Sequence, residues 1–233
     1  MKTGRGRITP PAGETDGRRL RGAKARAIIL DRAMDVASVS GFEGLTVGSL
    51  ASDLGISKGN ITVLFGDKEA LQVKTLDAAA EVFSAKVITP SLDEPIPIKR
   101  LRRLCHGWFD YVDQRVFPGG CLMYAAINEY RARPGVIQDR VNKCRDAWKA
   151  LLARTIRDAQ TAGEIRADQD VQQLVFKLTA FQATSNTAAL LGDVKYFLLG
   201  RTMTEAAILE AEAADQSSMP VRRKAPARRK RPV

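Results

Sequence analysis

A chain of 233 residues, 45% hydrophobic and 27% charged, is long enough to bury a core as one large domain or two small ones. No run approaches the ~20 apolar residues of a membrane helix, and the start MKTGRGRITPPAGETDG lacks the apolar segment of a secretory signal. The formal net charge of +11 is held by the two ends, which leaves the stretch between them slightly acidic.

The N-terminal end carries Lys2, Arg5, Arg7, Arg18, Arg19, Arg21, Lys24 and Arg26 against Glu14 and Asp16. Residues 1–17 are expected to be a disordered basic arm, since proline, glycine and charge leave too little to bury. The tail SSMPVRRKAPARRKRPV, within the expected disordered segment 215–233, is of the same kind. Such ends suit a polyanion, because each neutralised phosphate releases counterions. For the tail, a solubilising role and a second DNA-contacting arm both remain open. Cys105, Cys121 and Cys144 are odd in number and widely spaced, so no disulfide framework is expected and a reducing cytoplasm is the natural compartment.

The first predicted helix runs from about Arg18 to Ser40, with Ile29, Ala33, Val36 and Ala37 on one face. Thr46 then reads as the N-cap of a short helix whose Val47, Leu50, Ala51 and Leu54 form an apolar stripe. Gly55 suits the left-handed C-cap that ends it. Ile56 plugs the core, and Ser57 caps a second short helix, Lys58 to Phe65, with Ile61, Leu64 and Phe65 inward. Asp67 caps the next helix. Helix, glycine turn and capped helix is a helix-turn-helix, which lays its second helix in a DNA major groove.

The residues Gly41-Phe42, Leu45-Thr46, Leu50-Ala51, Leu54 to Gly59, Phe65 and Asp67 to Leu71 resemble the TetR-type bacterial transcriptional regulators. The likeness covers roughly residues 18 to 80. It implies a DNA-binding surface of Thr46, Val47, Ser57, Lys58, Gly59, Asn60, Thr62, Val63 and Lys68. Asn60 is the candidate base reader, since a carboxamide can pair bidentately with adenine. Thr46, Ser57, Thr62 and Lys68 are the candidate phosphate contacts. The chain departs from the family at Thr62, where members carry a phosphate-touching tyrosine, and at Val63, often aromatic or histidine. Both side chains here reach less far. Gly48 leaves a position of the first short helix without a side chain.

Beyond Asp67 the pattern stays helical: Lys68 to about Val87, a turn-rich connector TPSLDEPIP, then Ile98 to Phe117 with Leu101, Leu104, Cys105, Trp108 and Tyr111 or Val112 on its apolar face. Pro118-Gly119-Gly120 breaks that helix. Cys121 to Tyr130 and Val136 to Gly163 follow. Asp168 or Asp170 caps a helix through Leu191, and Asp193 starts a last one with Val194, Phe197, Leu198, Met203, Ala207 and Ile208 inward. These two terminal helices resemble the family's dimerisation pair, and Ala183, Thr184, Ala188 and Ala189 would permit close approach. The expected fold is therefore all-α, with a helix-turn-helix domain over 18–66 and a larger effector-binding and dimerisation domain over 67–214.

No enzyme is expected. The single histidine, His106, adjoins Cys105 on one helix, where neighbours point about 100° apart and form no nucleophile–base pair. No metal-ligand spacing or phosphate-binding glycine loop is present, so neither a metal nor a cofactor is expected. The middle helices do offer aromatic and soft side chains, which can enclose a mostly apolar cavity with a few polar handles. Trp108, Tyr124 and Trp148 are its candidate walls and His106 its candidate polar contact, and the resemblance implies a small-molecule effector there. The expectation is a homodimeric, cytoplasmic repressor that leaves a palindromic operator when the effector binds. The alternative is a largely non-specific DNA binder working through its basic ends.

Overall fold

The computed structural model describes residues 12–212, which form ten α-helices, one π-helical segment and a single isolated bridge between Ile165 and Glu212. The basic clusters expected at Lys2 to Arg7 and from Arg222 onward lie outside the described residues. Helix α1 spans Ala12–Gly44, so helix begins inside the stretch expected to be a disordered arm. Near its end Gly41 takes a left-handed φ of 73°, bending the chain toward α2.

Local chemistry then sets each short element. Helix α2 spans Val47–Leu54 behind a capping box, in which the Thr46 hydroxyl accepts from Ser49 N and the Ser49 hydroxyl answers Thr46 N. Gly55 ends it at φ 64°. Helix α3 spans Lys58–Phe65 behind Ser57, and α4 spans Lys68–Phe83 behind Asp67, whose carboxylate accepts from Ala70 N at 2.8 Å.

Helix does not stop where the proline-rich connector was expected to start. A π-helical segment, Ser84–Ile88, leads directly into α5, Thr89–Leu92, with αR backbone at both junctions. Pro90 has no N–H to return to the preceding turn, and the wider π turn admits it without a broken ladder. Helix α6 spans Pro97–Asp113, shorter than its apolar pattern, and buries both Tyr111 and Val112. Helices α7 (Leu122–Tyr130), α8 (Val136–Thr161), α9 (Val171–Leu190, capped by Asp170) and α10 (Val194–Ala211) complete the chain.

Two apolar clusters hold these helices. One joins Ile29, Leu45, Leu50, Ile61, Leu71 and Leu76 to Trp108, Phe109 and Leu122, so a single core runs across the expected boundary at 66/67. The other packs Leu101, Leu104 and Cys105 against Leu152, Ile156, Leu174 and Leu178, with Ile208 behind. At Gly119 a Cβ would overlap the backbone carbonyl of Ser38, while Gly119 N donates to Ser38 Oγ at 3.0 Å. Glycine is what lets this turn lie against α1. Helices α9 and α10 form the most extensive helix pair. Of the residues expected to face inward on α10, Phe197, Ala207 and Ile208 are buried, whereas Val194, Leu198 and Met203 are exposed. Periodicity marks an apolar flank but does not say whether the same chain covers it.

Candidate nucleic-acid interface and ligand cavity

Helix α3 is anchored from behind. Ile61 and Phe65 are buried, and the Arg26 guanidinium lies 5.6 Å from the Phe65 ring centroid. The opposite flank, Lys58, Gly59, Asn60, Thr62 and Val63, is exposed, with Val63 at 86%. The Asn60 backbone N–H donates to Ser57 Oγ at 3.2 Å, while its carboxamide has no hydrogen-bond partner among the described residues. Thr62 Oγ1 donates to Lys58 O at 3.1 Å, which occupies its proton and leaves its lone pairs. As caps, the Thr46 and Ser57 oxygens accept backbone N–H groups. A free backbone N–H or hydroxyl proton in the same first turns is what a phosphate oxygen would meet.

Two expected contacts, and the glycine beside them, sit differently. Val47 is half-buried and packs against the core. Lys68 Nζ pairs with Glu43 Oε2 at 2.8 Å, so its charge is shared before any phosphate arrives. Gly48, which looked like a missing side chain, makes room for Lys58: a Cβ there would come within 3.3 Å of Lys58 Cε.

A cavity of about 430 Å³ opens among α4, α6, α7, α8 and α9. Trp108, Tyr124 and Trp148 line it, together with Phe83, Tyr111 and Met123. The rings meet edge to face: Phe83 with Trp148 at 5.2 Å, Phe83 with Tyr111 at 5.4 Å, Trp108 with Tyr124 at 5.8 Å. Tyr124 OH donates to Thr179 O at 3.2 Å and Trp148 Nε1 to Gln182 Oε1 at 3.1 Å. Burial pushes the Tyr111 and Tyr124 phenols and the Cys121 thiol up, so these groups stay neutral.

His106 does not line this cavity. Its Nε2 lies 2.8 Å from Glu205 Oε2 on α10, in a cluster with Arg102 and Glu212. The helical rotation that carries Trp108 inward turns His106 to the α10 side. Burial pushes the adjacent Cys105 thiol up to about 12, which leaves it without a thiolate at neutral pH. Among the described residues no group of three or more histidine, cysteine or acidic side chains could hold a metal.

One long-range contact left no sequence signal. Glu129, near the end of α7, accepts Phe42 N–H through Oε2 and Glu43 N–H through Oε1, both at 2.7 Å. Tyr130 sets its ring edge on Phe42 at 6.2 Å, and Arg133 Nη1 lies 3.3 Å from Glu43. Gly41 clears the way, since a Cβ there would stand 2.7 Å from Glu129 Oε2. Helix α7 therefore supplies cavity wall at Leu122, Met123, Tyr124 and Ile127, and at its other end holds the turn that leads into α2. A separation of 87 residues puts that pairing beyond any local pattern.

Residues 29–73 match the model of bacterial regulatory proteins of the tetR family, and residues 97–204 match a tetracyclin repressor-like C-terminal domain. Together they span more than half of the chain. The chain belongs to the TetR family. It is a DNA-binding transcriptional regulator, and the family's domains work by binding rather than by catalysis. No curated protein matches it in sequence.

Several solved structures share its fold. A TetR-family regulator from Cytophaga hutchinsonii is similar at a TM-score of 0.71 and 21% identity, over 84% of this chain and 98% of that one. A regulator from Saccharomonospora viridis in complex with choline is similar at 0.70 and 22%, over 83% and 100%. AibR in complex with isovaleryl coenzyme A and operator DNA is similar at 0.59 and 17%, over 69% and 85%.

Proposed function

We propose that this TetR-family regulator is a homodimeric repressor that holds a palindromic operator and releases it when a small molecule enters the aromatic cavity. The observation that carries the reading is the division of α3: Ile61 and Phe65 buried behind, Lys58, Asn60 and Thr62 exposed in front. Each subunit inserts α3 into one major groove, with half-sites about 34–36 Å apart or a multiple of that. Asn60 reads a base edge; Lys58, Thr46, Ser57 and Thr62 meet phosphates, with Gly59 allowing close approach and Val63 touching a thymine methyl. Lys68 joins them once Glu43 yields it. Residues 18–66 act on DNA and 67–214 on effector and partner, in the cytoplasm, around the core they share.

Dimerisation is supported by an uncovered apolar flank on α9 and α10. Leu191 is 80% exposed and Val194 65%, with Leu198, Leu199 and Met203 beside them. A flank of this kind asks for a protein partner, and two copies of the pair would close it as a four-helix bundle. The effector works through α7. A ligand against Met123 and Tyr124 that favours a shifted α7 moves the Glu129 carboxylate, and with it the turn before α2. It does so only by binding that state more tightly, with coupling typically of ~1–3 kcal/mol.

The test is selection of bound fragments from the source genome, followed by anisotropy titrations on the selected site and on random duplex. A palindromic site bound at least ~1,000-fold more tightly than random duplex is the expected result. Near-equal binding would instead favour the non-specific reading, which the short Thr62 and Val63 side chains keep in play.

A further inference from the structure

We infer that the effector is an amphipathic monoanion, an apolar body with one carboxylate-type head group held between Arg145 and Lys149. This rests on the aromatic cavity being the effector site. Two of the residues lining the cavity are cations, Arg145 and Lys149, and none is an aspartate or glutamate. They stand four residues apart on α8 and so share one face, flanking Trp148. Lys149 is exposed and Arg145 half-buried, which puts both at the cavity's solvent side.

Deeper in, three of the wall's polar groups are already used, and the Tyr111 hydroxyl is left without a hydrogen-bond partner among the described residues. Tyr124 OH is committed to Thr179 O, Trp148 Nε1 to Gln182 Oε1, and Thr179 Oγ1 to Val175 O at 2.9 Å. A charged head placed among them would lose its hydration and gain at most the one Tyr111 hydroxyl, which costs free energy. At the rim Arg145 gives Nε to Asp146 at 3.0 Å, and its terminal nitrogens have no ion-pair partner among the described residues. Lys149 has none either among the described residues. A cationic ligand would find aromatic faces inside, but it would have to settle beside two like charges with no carboxylate in the lining. The acid fits this arrangement, and the cation does not.

Both tryptophans of the chain line the cavity, so ligand entry changes intrinsic emission. Emission and calorimetric titrations would compare decanoate with 1-decanol and decyltrimethylammonium, and 2-naphthoate with 2-naphthylmethanol. The expected result is that at least one acid binds roughly five- to tenfold more tightly than its neutral analogue, with the ammonium weakest. In the double variant R145Q/K149Q that ratio should fall to near one. Equal or tighter binding of the neutral or cationic probes overturns the head-group assignment and leaves the cavity as effector site. An acid preference that survives in the double variant also overturns it. If no probe binds or alters tryptophan emission, the effector-site reading falls, and this inference with it.

Discussion

Helices α3 and α10 each bury one flank and expose the other, and what they expose differs in kind. Outside Ile61 and Phe65, α3 offers Lys58, Asn60 and Thr62, whose polar atoms are well hydrated while they wait. Outside Phe197, Ala207 and Ile208, α10 offers Val194, Leu198, Leu199 and Met203, which water solvates poorly. A polar flank on a firmly anchored helix gains little from a protein neighbour and much from base edges and phosphates. An apolar flank gains most from a copy of itself. The burial pattern of two helices thus separates the proposed nucleic-acid surface from the proposed subunit interface.

Breaking the anchor should have the largest effect. Ile61→Ala removes a fully buried side chain and should cost ~2–5 kcal/mol in urea unfolding, whereas exposed Val63→Ala should stay within ~0.5 kcal/mol. Next comes the other exposed flank. Leu191→Glu with Leu199→Glu buries charge in the proposed interface and should weaken the dimer by ~100-fold or more in sedimentation equilibrium. An unchanged dimer would move the interface elsewhere.

On the α3 side, Asn60→Ala should cost ~1–3 kcal/mol on the selected operator and relax preference at one base pair. Equal losses on every duplex would leave Asn60 a phosphate contact. The link between cavity and α2 is sharpened by Glu129→Ala, which should lower stability by ~1–2 kcal/mol and shrink the effect of ligand on operator affinity. If the ligand effect is intact, the coupling runs through another helix.

The smallest effect concerns the covered flank of α10. Burial pushes the Glu205 carboxyl up, but hydrogen bonds from His106 and Arg102 outweigh it and hold the carboxyl below the ordinary glutamate range. Its contribution is therefore present above that range and lost as pH falls through the depressed value. Glu205→Gln should flatten the acid limb of a stability profile by under ~1 kcal/mol, since the cluster is partly solvated.

Much of this was legible in the chain. Gly55 at φ 64°, the caps at Thr46, Ser57 and Asp67, and a cap at either Asp168 or Asp170, of which the fold uses Asp170, follow from bonds made within a few residues. The side-chain wall formed by Trp108, Tyr124 and Trp148 was legible because bulky rings at helical spacing turn inward together. His106 was misread, because two positions before Trp108 on a helix means another neighbour, Glu205. The π turn before Pro90 was missed because proline ordinarily ends a helix.

The sequence by itself determined the short-range order: where helices start and stop, and which flank of each is apolar. Those features depend on hydrogen bonds and spacings a few residues long. Only the tertiary structure decided which apolar flanks are covered, that Lys68 is already paired, and that Glu129 grips the turn before α2. These depend on which distant segments share space, and a carboxylate 86 and 87 residues from its two donors leaves no local trace.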